Sequence, residues 1–301
     1  MRTQKSLLTL IGLILLLVSC GSPSTEAGPP LLVDPGIDPN QWATIPAGEF
    51  LQGQFNKEVL LDYEYDIMIT NVTNEQFVKY LNQALAEGAI KIVDEQIFGY
   101  YPGDIFREYR HEVEITAGDW LHVDLSNEGL RYTFDGDQFT VKSGYENHPV
   151  VLVTWFGAQA YCEYNDARLP SDYEWEKAGR GTDGRAFPWG NEVGPENANY
   201  YASRDPFEEY IGKMGDTSPV GFYNGTTYMG FGTVDSASPY GLYDMAGNVE
   251  EWVGNVYEDQ HYRYMHGGSK ANYSYDLRIW GTNNAEPDYF GPSTGFRCVR
   301  D

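Results

Sequence analysis

Hydrophobic and polar positions alternate cleanly over residues 59–69. Val59, Leu61, Tyr63, Tyr65, Ile67 and Ile69 take one face, and Asp62, Glu64 and Asp66 take the other. A period of two is that of a half-buried strand. The period then changes. Phe77, Leu81 and Leu85 recur every four residues, and Thr73 with Gln76 forms a capping box, which predicts a helix over residues 71–85. A second helix is expected over 154–164, with Trp155, Ala158, Tyr161 and Cys162 on one side. Ser171 with Glu174 caps a third, which carries Trp175.

Between the first two helices the pattern is weaker. Residues 112–116 and 121–125 read as short strands, and 130–134 and 138–141 flank Asp135-Gly136, a favoured hairpin turn. Asp135 and Asp137 have no further acids behind them at calcium-loop spacing, so the hairpin reading takes precedence. His111 and His122 lack a partner at metal spacing and read as surface or strand residues. Residues 180–239 are mostly Gly, Pro, Asn, Asp and aromatics, and need something other than a periodic core to hold them. No internal repeat and no second domain boundary is visible. The elements alone give a single α+β domain.

The start of the chain is different. Residues 1–20 (MRTQKSLLTLIGLILLLVSC) carry Arg2 and Lys5 before an apolar run of signal-peptide length, too short for a membrane span. The run ends in Leu-Val-Ser-Cys-Gly, which resembles a bacterial lipobox with Cys20 as the lipidated residue. Gly21 in place of Asp favours passage to the outer membrane, facing the periplasm or the cell surface. Residues 21–41, rich in Pro, Gly, Ser and Asp, read as a tether to a domain spanning 42–301. The formal net charge of −24 argues against a nucleic-acid partner. It suits an exported protein kept soluble by charge.

The most informative stretch is residues 241–255, GLYDMAGNVEEWVGN. Asp244 and Glu251, separated by a turn-forming Gly247, offer oxygens suited to a hard cation such as calcium, although the same spacing also fits a loop whose acids face water. This stretch resembles the signature of the formylglycine-generating enzyme, or sulfatase-modifying factor, family. Other blocks follow the family's order: residues 42–53 (WATIPAGEFLQG), 148–155 (HPVVLVTW), 168–179 (RLPSDYEWEKAG), 187–191 (FPWGN), 267–269 (GGS) and 295–300 (GFRCVR). The resemblance covers essentially all of the chain after its leader, and is weakest over 88–145.

The resemblance implies a formylglycine-generating-enzyme-like, C-type-lectin-like mixed fold with a twisted antiparallel sheet and much irregular loop. It implies a calcium held by Asp244, the carbonyls of Met245, Gly247 and Val249, and Glu251. It suggests a second calcium starting at Asn199 and Tyr200, with Asp216 as a further candidate. It pairs Cys162 with Cys298 in a disulfide.

It also carries a warning about activity. Family enzymes use two cysteines between the GGS and GFR blocks to bind copper(I), for which soft thiolates are suited. Here no cysteine lies between Cys162 and Cys298; the two thiol positions fall on Asn272 and near Ser274. No copper is therefore expected. His266 beside the GGS turn suggests a Ser–His pair only weakly, since a Gly-Gly turn more simply lets the backbone approach a neighbour.

Two functions are expected from these readings. The first is an envelope-anchored lipoprotein whose domain binds an envelope protein partner, as in relatives serving gliding-motility or type IX secretion assemblies. The second is a cysteine-independent periplasmic oxidase, as in relatives that mature a siderophore chromophore, with Glu250, Glu251 or His266 moving protons. Formylglycine generation itself ranks below both.

Overall fold

A computed structural model describes residues 33–110, 112–257 and 261–301. The leader with Cys20, and His111, lie outside them. The chain opens with β1 (Trp42–Ile45), β2 (Gly48–Gln52), β3 (Lys57–Leu61) and β4 (Tyr65–Met68), before α1 (Asn74–Glu87). Next come β5 (Ile90–Val93), β6 (Gln96–Tyr101), β7 (Gly118–Asp124), β8 (Tyr132–Phe134) and β9 (Phe139–Val141). Helices α2 (Trp155–Tyr164), α3 (Asp172–Arg180) and α4 (Pro206–Ile211) follow. The remainder holds β10 (Thr227–Tyr228), β11 (Phe231–Gly232), β12 (Glu250–Tyr257), β13 (Tyr262–His266), β14 (Thr282–Ala285), β15 (Thr294–Phe296) and β16 (Val299–Arg300).

The helices start where their caps require. Thr73 accepts the Gln76 N–H at 3.2 Å while Gln76 Oε1 accepts the Thr73 N–H at 3.0 Å. Ser171 and Glu174 form the same reciprocal box on α3. The Asp135-Gly136 hairpin forms with β8 and β9 as its arms. Two strand expectations change. The run 59–69 is divided: β3 pairs with β2, whereas β4 pairs with β1 and β16, so the chain leaves one sheet and joins another at 62–64. Residues 112–116 are not a strand. The Glu112 carboxylate instead accepts the backbone N–H groups of Arg107 and Tyr109 and curls the loop.

The largest sheet has the order β14-β13-β12-β15 and is mixed, because β12 and β15 run parallel. Its buried side, with α1, α2 and residues 150–153, forms the main core. The rings of Phe77, Tyr161 and Phe296 meet there at centroid distances of 5.4 to 6.2 Å. Cys162 and Cys298 form a disulfide in this core, with a Cα–Cα distance of 5.7 Å. A second core gathers Trp175, Ile67, Leu242, Met245, Ile279 and Val299.

The irregular stretch 180–239 is held by hydrogen bonds as much as by rings. Arg180, fully buried, donates to the carbonyls of Gly53, Gly184 and Arg185. Asp205 caps α4 and accepts the Tyr223 hydroxyl at 2.7 Å. The end of the expected tether also belongs to the domain. Pro35 and Pro39 carbonyls accept from Asn224 and Gln76, and Ile37 lies against Gly221.

Candidate functional site

The turn before β12 is built against Asn199. Gly247 has φ +82°, and a Cβ there would come within 2.6 Å of the Asn199 carbonyl oxygen. Only glycine fits that approach. The next residue, Asn248, donates its N–H to the same oxygen at 2.8 Å. Its side-chain amide pairs with both backbone groups of Ser218, at 3.0 and 3.1 Å. The turn thus brings together Asp244, Glu251, Asn199 and the 216–218 segment, which are far apart in sequence.

Glu251 is fully buried and already has partners. Arg297 Nε donates to Oε2 at 2.7 Å, Arg297 Nη2 to Oε1 at 2.8 Å, and Trp175 Nε1 to Oε2 at 2.8 Å. Asp244 is less well compensated. Its Oδ2 accepts the Gly221 N–H at 2.6 Å. Burial pushes its carboxyl up to about 6, with the Gly221 N–H and Arg297 opposing and Glu251 adding to the rise. A half-buried carboxylate short of positive charge, set in a turn of carbonyls, fits a hard cation. Asp244 would hold it with the carbonyls of Met245, Gly247 and Val249, while Glu251 is shared with Arg297.

The second set does not fit. Asn199 Oδ1 is buried without a hydrogen-bond partner, which would suit a cation. The Tyr200 carbonyl accepts the Ser203 N–H at 3.2 Å and keeps a second lone pair. Asp216, however, is taken: Arg131 Nη2 lies 2.7 Å from Oδ1 and Lys213 Nζ 2.7 Å from Oδ2. The chain's own cations occupy that acid.

A cleft of about 420 Å³ opens over β14, β13 and the start of β12. Its walls include Glu250, Asn272, Asp276, Arg278, Trp280 and Asn283. Burial pushes the Glu250 carboxyl above the usual carboxylate range and Asp276 adds to the rise, while an Asn283 amide N–H at 3.4 Å opposes it. Arg278 is stacked 4.1 Å over Tyr275. Beside the cleft, Tyr201 and Tyr273 pack edge to face at 5.1 Å, and the Tyr201 N–H donates to the Asn272 carbonyl at 2.8 Å. Tyr201, Tyr273 and Tyr275 are exposed.

The position expected for the first copper thiol, Asn272, therefore does line the cleft. Its side chain accepts the Ser269 hydroxyl at 2.5 Å. His266 turns the other way, stacked on Trp175 at 4.8 Å with Nε2 2.5 Å from Asp172. Ser269 and His266 do not form a catalytic pair. His122 is a strand residue, but a buried one, lying on β7 against Gly99.

The profile of the sulfatase-modifying factor enzyme 1-like domain matches residues 34–301. The chain belongs to that family. Formylglycine-generating enzyme of Mus musculus is 29% identical over 290 residues, 85% of this chain and 74% of that protein. Serine/threonine-protein kinase pkn1 of Chlamydia caviae is 28% identical over 283 residues, 85% of this chain but 37% of the kinase. The inactive C-alpha-formylglycine-generating enzyme 2 of Bos taurus is 35% identical over 162 residues, half of each chain. Among solved structures, PvdO from Pseudomonas aeruginosa shares the fold with a TM-score of 0.55 at 20% identity, covering 86% of this chain and 94% of its own. CarF does so with a TM-score of 0.52 at 20% identity, covering 86% and 97%.

Within the family domain, the residues that sequence reading left without a role are Arg297, Asp276 and the Arg131–Lys213 pair. Arg297 sits inside the GFRCVR block, so its position was visible. Its partner Glu251, 46 residues away, was not.

Proposed function

We propose that this family domain is a binding module on an envelope lipoprotein, and that it does not generate formylglycine. The supporting observation is the chemistry of the cleft. Where family enzymes are expected to place copper thiols, its walls carry Asn272, Asp276, Arg278 and Trp280. The domain's two cysteines, Cys162 and Cys298, are tied to each other in the core. The exposed tyrosines at the cleft mouth give a contact surface of the kind enriched in protein interfaces. A lipid on Cys20 would hold the module at the outer membrane, calcium at Asp244 would stiffen the turn behind the cleft, and an envelope protein would be the partner. Gliding-motility or type IX secretion-like assembly is the setting proposed. Native co-purification of the lipidated protein from its own membranes tests this. A stoichiometric envelope partner, lost in Tyr273→Ala with Tyr275→Ala, is the expected result. Recovery of the protein alone would overturn the reading.

A second reading is favoured by Glu250. A half-buried acid with a raised pKa in a cleft is suited to proton transfer, as a cysteine-independent oxidase acting on a small periplasmic molecule, such as a siderophore chromophore, would need. Oxygen uptake with candidate substrates, abolished in Glu250→Gln, would support it.

A further inference from the structure

We propose that His261 is a proton-dependent latch, which holds the loop carrying Asp104 and Glu112 against β13 while its ring bears two protons and releases it when one is lost. His261 stands just before β13 and is buried. Its Nδ1 lies 2.6 Å from Asp104 Oδ2, and its Nε2 lies 2.6 Å from Glu112 Oε1. Each contact needs an N–H, because an ionised carboxylate only accepts. A neutral imidazole has one N–H and an imidazolium two. Against the effect of burial, donors hold both carboxyls below the usual carboxylate range: the Tyr101 hydroxyl, His261 and Arg263 at Asp104, and the Arg107 N–H, His261 and the Tyr109 N–H at Glu112. Both are therefore ionised at neutral pH. Loss of the ring's second proton sets a lone pair against one of them.

The latch joins separate parts of the chain. Asp104 also accepts Arg263 Nη2 at 2.7 Å and the Tyr101 hydroxyl, from the end of β6, at 2.7 Å. Arg263 lies over the Trp155 ring at 4.2 Å and donates Nη1 to the His261 carbonyl at 2.8 Å. Among the described residues, Asp104, Glu112, Arg263 and Tyr101 are the titratable side chains in contact with the ring or with its two carboxylates. Of these side-chain types and histidine, only histidine ordinarily changes charge between pH 5 and 8. The loop is closed at its base, where the Asp104 N–H donates to the carbonyl of buried Ile115 at 2.8 Å. Ile105, Phe106, Tyr109 and Val113, which lie between those two residues, are exposed. The display of this apolar surface thus follows the proton on His261.

Amide hydrogen exchange of the full chain, from about pH 5.5 to 9.5 and corrected for the intrinsic rate, tests the latch at the Arg107 and Tyr109 N–H groups, while NMR of the His261 ring marks its loss of a proton. Protection there is expected to fall about tenfold as the ring titrates, through loss of one charge-assisted hydrogen bond. His122 and His148, held neutral by burial, act in the opposite direction, so a global effect would raise protection with pH. Glu112→Gln is the decisive variant. Its oxygen takes the place of Oε2, which accepts the Arg107 and Tyr109 N–H groups at 2.9 Å each, and its amide nitrogen the place of Oε1, facing His261 Nε2. That nitrogen donates to a neutral ring and opposes a protonated one. The pH dependence is therefore expected to invert. His261→Asn, suited to the φ of +58° at that position, is expected to give weak protection at every pH. Flat protection in the wild type, or a fall that keeps its sign in Glu112→Gln, would overturn the latch.

Discussion

The Arg297 guanidinium forks onto the Glu251 carboxylate through two hydrogen bonds of 2.7 and 2.8 Å, with both side chains fully buried. The same guanidinium donates to the carbonyls of Met68 and Tyr243, so it joins β4, the 241–251 turn and β12. Breaking one side of a buried pair leaves the other charge without compensation. Arg297→Met is therefore expected to cost about 3–5 kcal/mol in chemical denaturation. The double variant with Glu251→Met should cost less than the sum of the two single changes. Additive losses would show that the pair is not coupled.

The proposed calcium rests on Asp244 rather than on that pair. Asp244→Ala removes an acid with little compensation, whereas Glu251→Ala also strands Arg297. Calcium is expected to raise the melting temperature of the wild type and a chelator to lower it, with both effects absent in Asp244→Ala. In the metal-free protein the same substitution should be close to neutral. A chelator-insensitive wild type would remove calcium from this site.

The disulfide closes a separation of 136 residues, so its reduction is expected to cost up to about 5 kcal/mol on the chain-entropy account. Both cysteines are almost completely buried. Reductant should therefore act slowly on the folded protein, and quickly once denaturant has opened it. Rapid reduction without denaturant would contradict the burial.

What could be read from the sequence follows from the range of each interaction. Thr73 with Gln76, Ser171 with Glu174, and Asp135-Gly136 are local devices, and all three form where their spacing placed them. The break between β3 and β4 was not legible, because alternation continues through a change of sheet partner. The same limit applies at the site. Ordered motifs located Asp244, Gly247 and Asn272, but the pairing of Glu251 with Arg297, and of Asp216 with Arg131, depends on tertiary closure. His122 looked like any strand histidine until Gly99 was seen to make room for its ring.

That buried His122 makes the fold acid-sensitive. Burial lowers its pKa from 6.5 to about 4, and Asp119 opposes this only in part. The unfolded chain thus takes up a proton at a pH where the folded chain does not. Stability is complete above about 6.5 and is lost as pH falls toward 4, by up to about 3 kcal/mol from this group. His148 is lowered to about 4 by burial as well and acts in the same direction. His122→Leu should flatten the stability profile between pH 6.5 and 4 by roughly half. An unchanged slope would place the acid sensitivity elsewhere.

At Asp216 the chain supplies the positive charge that a metal would otherwise bring. Its carboxyl is held below the usual range, because Lys213 and Arg131 outweigh the opposing effect of burial. Tyr145 adds a hydroxyl donor at 3.1 Å and Thr217 its own N–H at 2.9 Å. Arg131 comes from the 88–145 segment, so this ion pair also fastens that segment to residues 216–218 beside Asn199. Arg131→Met should destabilise the domain more than Lys213→Met, since the Lys213 side chain is 45% exposed and screened by solvent. With both removed, Asp216 and the unpartnered Asn199 Oδ1 would face each other's surroundings without a cation. That double variant, and not the wild type, is expected to gain a second calcium-dependent rise in melting temperature, additional to the one that depends on Asp244. If calcium stabilises the double variant no more than the wild type, Arg131 and Lys213 are not standing in for a metal.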